Sequence, residues 1–188
     1  MDNPRQYISY SQLISWEKRK YYEEYILGNR RESKETLYGK RIAEGLHNGS
    51  KDEDIDFCRM WLPEPKEREK EITADIEGLK VKVVLDGFTK SPLIIDEYKT
   101  GKVPWTSSRA LNSDQMTIYD LVVWYLFKKE PLRRIFWIPT KDVGDNGIII
   151  TGEIPQSFTT TRGFADRAKM LSRLKIAQAG INKLYKNL

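Results

Sequence analysis

The sequence is poor in thiols. Cys58 is the single cysteine among 188 residues, which excludes an intrachain disulfide, a zinc ribbon and an iron–sulfur cluster held by four cysteines of one chain. A bound metal must therefore be met by oxygen ligands, with imidazole as a supplement, a donor set that favours magnesium or manganese. Hydrophobic runs are short as well. None approaches the roughly 18 to 20 residues of a membrane span, and Met1-Asp-Asn-Pro-Arg5 does not read as a secretory signal, so a cytoplasmic protein with no membrane association is expected. Neither sign of charge dominates. The net charge of +5 permits nucleic acid as a partner without demanding it. Apolar residues make up 39% and charged residues 31% of the chain, the balance of an ordinary folded protein. Its length suits a single domain spanning residues 1–188 with a sizeable core.

Apolar spacing predicts a first helix from Ser9 or Ser11 to a stop at Gly28, and a second from about Lys34 to His47 ended by Asn48-Gly49-Ser50. Lys51 to Asp56 reads as a charged loop, and Trp61 and Trp137 as core residues. From Glu69 the period changes to two, with Ile72, Ala74 and Ile76 alternating with Glu71, Thr73 and Asp75. Glu77-Gly78 turns into a strand from Leu79 to Phe88, and Thr89-Lys90-Ser91 into one from Pro92 to Thr100, giving a three-stranded meander. A polar loop from Gly101 to Asn112 precedes a helix from Ser113 to Lys128. Two strands follow, Arg134–Ile138 and Ile148–Ile154, joined by the turn-rich stretch from Lys141 to Gly147, and a basic helix from about Thr161 to Tyr185 closes the chain. This order indicates an α/β (α+β mixed) protein: a central mixed sheet flanked by helices.

Chemistry concentrates between Leu79 and Tyr119. Alternation along the third strand puts Glu97 and Lys99 on one face and Asp96 and Tyr98 on the other. Asp86 closes the preceding strand, so its carboxylate can meet Glu97 if the register aligns the two strand ends. An aspartate, a glutamate and the carbonyl of Tyr98 make a hard oxygen site for a magnesium ion that keeps several waters. Lys99 beside it can orient or deprotonate a water and offset charge on a phosphate. Gln115 and Tyr119, four residues apart, share a helix face and can reach a phosphate or the lysine.

The collected residues resemble the PD-(D/E)xK nuclease superfamily, and within it the RecB-like branch. Ile8-Ser-Tyr-Ser-Gln-Leu13 looks like that branch's opening helix and Tyr38-Gly-Lys-Arg-Ile42 like its first-motif helix. Leu85-Asp86 is similar to its second motif, Glu97-Tyr-Lys-Thr-Gly101 to its (D/E)xKT core, and Gln115-Met-Thr-Ile-Tyr119 to its QxxxY helix. The resemblance implies a restriction-endonuclease-like core acting on DNA through one or two magnesium or manganese ions. In it, Asp86 and Glu97 bind metal, Lys99 is the catalytic lysine, and Gln115 with Tyr119 position the substrate. One departure stands out. Ala43 occupies the place of the family's first-motif histidine, leaving His47, one turn along the helix, or Glu44 to supply that ligand. Lys18-Arg19-Lys20 stands where a cluster-binding cysteine would fall, so the branch's iron–sulfur cluster is not expected.

For holding DNA, as double-stranded ends or single strands, Trp105 and Arg109 follow the catalytic strand and can meet a base and a phosphate. Arg162, Arg167, Lys169 and Arg173 on the last helix can track a phosphate backbone. The expected activity is metal-dependent cleavage of phosphodiester bonds by an exonuclease or DNA-end-processing enzyme. A structure-selective endonuclease and an inactive nucleic-acid-binding module are the alternatives, and a ring-shaped homo-oligomer would favour processive exonuclease action.

Overall fold

The protein was analysed as a computed structural model that describes residues 5–143 and 147–188. Met1 to Pro4, and part of the turn expected between Lys141 and Gly147, lie outside the described residues. A six-stranded sheet carries the fold. Its first three strands, β1 (Glu67–Ile76), β2 (Leu79–Thr89) and β3 (Ile94–Gly101), form the antiparallel meander that the alternation predicts. β4 (Leu132–Asp142) then joins β3 in parallel. A parallel neighbour needs a crossover, supplied by α4 (Ser107–Leu111) and α5 (Asp114–Phe127). β5 (Ile148–Ile150) and β6 (Gln156–Thr160) pair antiparallel with successive stretches of β4.

Both faces of the sheet are covered. On one, Val81, Val83, Leu85 and Ile95 meet α5, α1 (Tyr10–Glu17) and α6 (Phe164–Lys186) in the larger core. Helix α5 lies between the sheet and α6, so every residue from Met116 to Val123 is buried. On the other face α2 (Lys34–Asn48) and α3 (Glu53–Trp61) close a second core of Tyr38, Ile42, Leu46, Ile55, Cys58, Phe136 and Ile138. Helix α2 approaches β3 at Gly39, where an added Cβ would lie 3.1 Å from Thr100 Oγ1.

Local chemistry moves several boundaries away from the sequence reading. The first helix stops at Glu17 and resumes only as a π-helical turn, Tyr22–Ile26. Between them Arg19 adopts a left-handed φ of 57°, which keeps Lys18, Arg19 and Lys20 in solvent and turns Tyr21 inward, stacked 4.8 Å from Tyr25. The charged stretch after Lys51 is helical rather than a loop. Asp52 caps α3 by accepting from the Asp54 amide at 3.0 Å, and Glu53, Asp54 and Asp56 place negative charge at the positive end of the helix. Thr106 likewise caps α4 inside the expected polar loop. Trp61 ends α3 on the surface, 43% exposed, not in the core, whereas Trp137 is buried. The strand begun at Ile148 ends at Ile150, and the polar β6 forms beyond Pro155, its hydrogen bonds drawn from the edge of β4.

Candidate functional site

The site is built where β2 and β3 part. Their ladder pairs Thr89 with Ile94, Phe88 with Ile95 and Gly87 with Asp96, then stops. The next rung would join Asp86 to Glu97. Instead Asp86 Oδ2 accepts the Tyr98 amide at 2.7 Å, so a side chain replaces the backbone rung and the strands fork there. Gly87 belongs at the fork because an added Cβ would sit 3.0 Å from Asp96 Cβ and 3.1 Å from Pro65 and the Tyr98 hydroxyl.

Alternation along β3 sends its residues to opposite faces, as predicted. Asp96 turns away into a two-pronged ion pair with Arg134, at 2.7 and 2.9 Å. The Tyr98 ring packs on Phe136. Glu97 points toward α5, only 1% exposed. It is paired with the Lys99 ammonium, and neither carboxylate oxygen receives an aligned hydrogen bond. Lys99 Nζ donates to Gln115 Oε1 at 2.8 Å, and Gln115 Nε2 donates to the Tyr119 hydroxyl at 2.7 Å. Ser113 fixes the start of α5 by accepting from the Met116 amide, which sets the height of this relay above the strand. The five residues Asp86, Glu97, Lys99, Gln115 and Tyr119 are therefore gathered in one place.

Charges within the group perturb one another. Loss of water contact, then the Glu97 carboxylate, holds the Asp86 carboxyl well above its ordinary value, against the pull of Lys99 and the Tyr98 amide. Burial alone would lower Lys99, but Glu97 and Asp86 outweigh it and leave the ammonium raised. Burial, followed by the same two carboxylates, pushes the Tyr119 phenol far up, so it stays neutral.

A residue that the sequence reading passed over also faces this group. In the β1–β2 ladder Arg68 pairs with Gly87 and Lys70 with Leu85, which places Glu69 directly opposite Asp86, with a φ of 49°. Burial and the nearby Glu97 and Glu44 raise the Glu69 carboxyl, while His47 draws it down. Glu44 and His47 are exposed on α2, and Ala43 is half-buried. The positive φ leaves no mark in sequence, since glycine is absent; only an acid among period-two residues hints at it.

A divalent cation fits the donors present. Glu97 offers buried carboxylate oxygens without aligned donors, and Asp86 faces it across the fork, a hard oxygen pair suited to an ion that completes its shell with water. Among the described residues no three His, Cys, Asp or Glu side chains are already drawn together as a cage.

The basic residues divide. Arg109 lies exposed over the half-buried Trp105 ring, 4.5 Å from its centroid, and Lys169 is exposed on α6. Arg162 and Arg167 correct the expectation of a phosphate-tracking helix. Arg162 is buried, giving hydrogen bonds to Thr117 Oγ1 and to the carbonyls of Ala110, Ser113 and Thr161. Arg167 is buried against Asp120 and Glu130. Both are consumed by internal acceptors. Arg173 is tied to Glu17 and Asp114 at 2.8 to 2.9 Å and lines a cleft of about 590 Å³ with Trp16 and Tyr22.

The arrangement of sheet and helices is shared with solved structures. A candidate exonuclease from Eubacterium rectale superposes with a TM-score of 0.60 at 13% identity, over 94% of this chain and 80% of its own. A phage-related exonuclease from Haemophilus somnus 129PT superposes with a TM-score of 0.60, also at 13% identity, over 93% of this chain and 82% of its own. No protein-family model matches the chain, and neither does any curated protein sequence. The chain thus has the mixed-sheet fold seen in these two structures. Among the described residues no helix is long and apolar enough to cross a membrane.

Proposed function

We propose that this chain is a divalent-cation-dependent DNA nuclease of the PD-(D/E)xK type, of the RecB-like branch without an iron–sulfur cluster, acting on DNA ends. One observation carries the reading: Asp86 and Glu97 face each other where β2 and β3 fork, with Lys99 beside them held by Gln115. The likeness in fold to proteins named as exonucleases supports it. Asp86, Glu97 and the Tyr98 carbonyl would hold magnesium or manganese, which when bound polarises a phosphodiester and makes a nearby water more acidic.

The chain's own groups do the rest. Lys99, charged and fixed between Glu97 and Gln115, places a positive charge where negative charge grows on the phosphate. The water oxygen bonds to phosphorus, one ester P–O bond breaks, and the departing oxygen takes a proton, leaving a phosphate monoester and a hydroxyl. Arg109 over Trp105 forms an exposed platform for a phosphate and an unpaired base.

The test is incubation of the whole chain with linear and circular DNA in magnesium or manganese. Linear DNA should be degraded from its ends and circular DNA spared. Lys99→Ala and Glu97→Ala should each lower the rate by at least about 100-fold, the scale of losing a preorganised electrostatic group. Intact substrates with the unmodified protein would refute the enzyme; equal cutting by the variants would refute the site.

A further inference from the structure

We propose that the surface around α4 holds unpaired nucleotides, so that the DNA taken by this nuclease is DNA with a single-stranded end. The inference rests on the nuclease reading and adds the substrate class, which the group at the fork does not name.

Position is the first argument. Helix α4 lies in the crossover that leaves β3 past Lys99 and enters α5 before Gln115, so a strand bound there adjoins the pair those two residues form. The surface is also held in place. Thr106 caps α4, Trp105 packs against the larger core, and the buried Arg162 donates to the carbonyls of Ala110 and Ser113, one on each side of the turn between α4 and α5. A ligand meets this surface without first having to order it.

The second argument is what the surface offers. Arg109 sits over the Trp105 ring, 4.5 Å from its centroid, and among the described residues no acidic side chain pairs with it. Lys102, earlier in the same crossover, is already met by Asp142 and Glu35. Arg109 is thus left for an anion from outside. Apolar side chains accompany it: Leu111 is 50% exposed at the end of α4, and Phe164, two residues past the Arg162 anchor, is 79% exposed. A cation beside an indole and exposed apolar groups suits unpaired bases, each of which brings a free ring face and a phosphate.

The third argument is what the surface lacks. A base inside a duplex has both ring faces covered by its neighbours, so a protein that grips duplex does so through many phosphates and needs a row of free cations. On α6 that row is spent internally, with Arg167 on Asp120 and Glu130, and Arg173 on Glu17 and Asp114. One arginine on an indole is a poor grip for duplex and a good one for a single strand.

The experiment is DNA binding by the whole chain without divalent cations, read by fluorescence anisotropy. Three probes are compared: a blunt-ended DNA hairpin, the same hairpin with an unpaired tail at its 3′ or 5′ end, and the tail alone. The tail and at least one tailed hairpin should bind about 10-fold or more tightly than the blunt one. Trp105→Ala and Arg109→Ala should each weaken binding of the tail about 5- to 150-fold, the scale of losing one stacked base, and leave the blunt hairpin unchanged. Arg109 is exposed, so Arg109→Ala should melt with the unmodified chain and keeps the test valid if Trp105→Ala fails to fold. Equal affinity for blunt and tailed hairpins, full affinity for the tail in Arg109→Ala, or an equal loss on all three probes would overturn the proposal. With magnesium added, cutting of blunt and tailed hairpins at one rate would overturn it too and leave the nuclease reading standing. Cutting of neither, with the preference for the tail intact, would instead overturn the nuclease reading and leave the single-strand surface.

Discussion

Tyr119 decides how Gln115 is turned. An amide group has one accepting and one donating end, and because the Tyr119 hydroxyl accepts from Gln115 Nε2, Gln115 Oε1 is left facing the Lys99 ammonium. Removing the hydroxyl frees the amide to rotate and to set its donor end against a cation. Gln115→Ala should therefore lower the turnover number for DNA cleavage about 10- to 100-fold, the usual cost of losing a partner that orients a reacting group. Tyr119→Phe should cost less, and neither should alter the affinity for DNA appreciably. Unchanged turnover in Gln115→Ala, by single-turnover kinetics, would show that the lysine needs no support. These positions were legible in sequence because they obey simple periods: two along β3, which pairs Glu97 with Lys99, and four along α5, which pairs Gln115 with Tyr119. Glu69 was not legible because strand pairing and a left-handed φ at a non-glycine residue leave no mark in sequence. Read as regular strand it joins Glu71, Thr73 and Asp75, and its place opposite Asp86 with a left-handed φ shows only in the fold.

Helix α5, strand β4 and helix α6 are fastened at one buried point. Asp120, with no exposed surface, accepts from Arg133 Nε at 2.5 Å and from Arg167 Nε at 2.6 Å, and Glu130 bridges the outer ends of the same arginines. Removing the central anion leaves two buried guanidinium groups without their shared partner, so Asp120→Ala should cost about 3–5 kcal/mol of stability. Glu130 is 58% exposed on its side chain, so solvent screens it, and Glu130→Gln should cost below about 1 kcal/mol. Chemical denaturation of the two variants would check the contrast, and an equal, small loss in both would show that the core alone holds these elements. This lock explains why α6 misled the sequence reading. A row of cations predicts a solvated face, but Asp120 and Glu130, 47 and 37 residues before or away from their Arg167 partner, meet it only after folding. The elements themselves were more legible than their ends: β1 to β3 and α5 follow strong periodic patterns, while α3 depends on an Asp52 cap and β6 on an edge offered by β4, neither of which is local hydrophobicity.

For the molecule as a whole, the fork between β2 and β3 is a place where stability is given up. In the unfolded chain the carboxyls of Asp86 and Glu69 release their protons around pH 4, and in the folded chain both keep them to higher pH. Through that window the native state binds more protons than the unfolded state, so their contribution to stability falls as the pH rises. Glu130 works in the opposite sense: Arg167, then Arg133, holds its carboxyl low, so its stabilisation is present above the ordinary carboxylate pKa and is lost on acidification, though its exposure keeps that effect small. Under the proposed function a divalent cation would relieve the repulsion at the fork only when the carboxyls are ionised. Near neutral pH, magnesium or manganese at about 100 times its Kd should add ~2.7 kcal/mol, on the order of 5–10 °C in Tm. Around pH 5, where protons compete for the same oxygens, the gain should fall to about half or less. Asp86→Asn keeps an amide oxygen to accept the Tyr98 N–H while removing one charge, so its ion-free Tm at neutral pH should rise by about 2–4 °C, roughly 1 kcal/mol, and its response to the cation should vanish. Melting curves at both pH values would decide the matter, because a cation-dependent gain that ignored pH, or that survived in Asp86→Asn, would place the ion somewhere other than the fork.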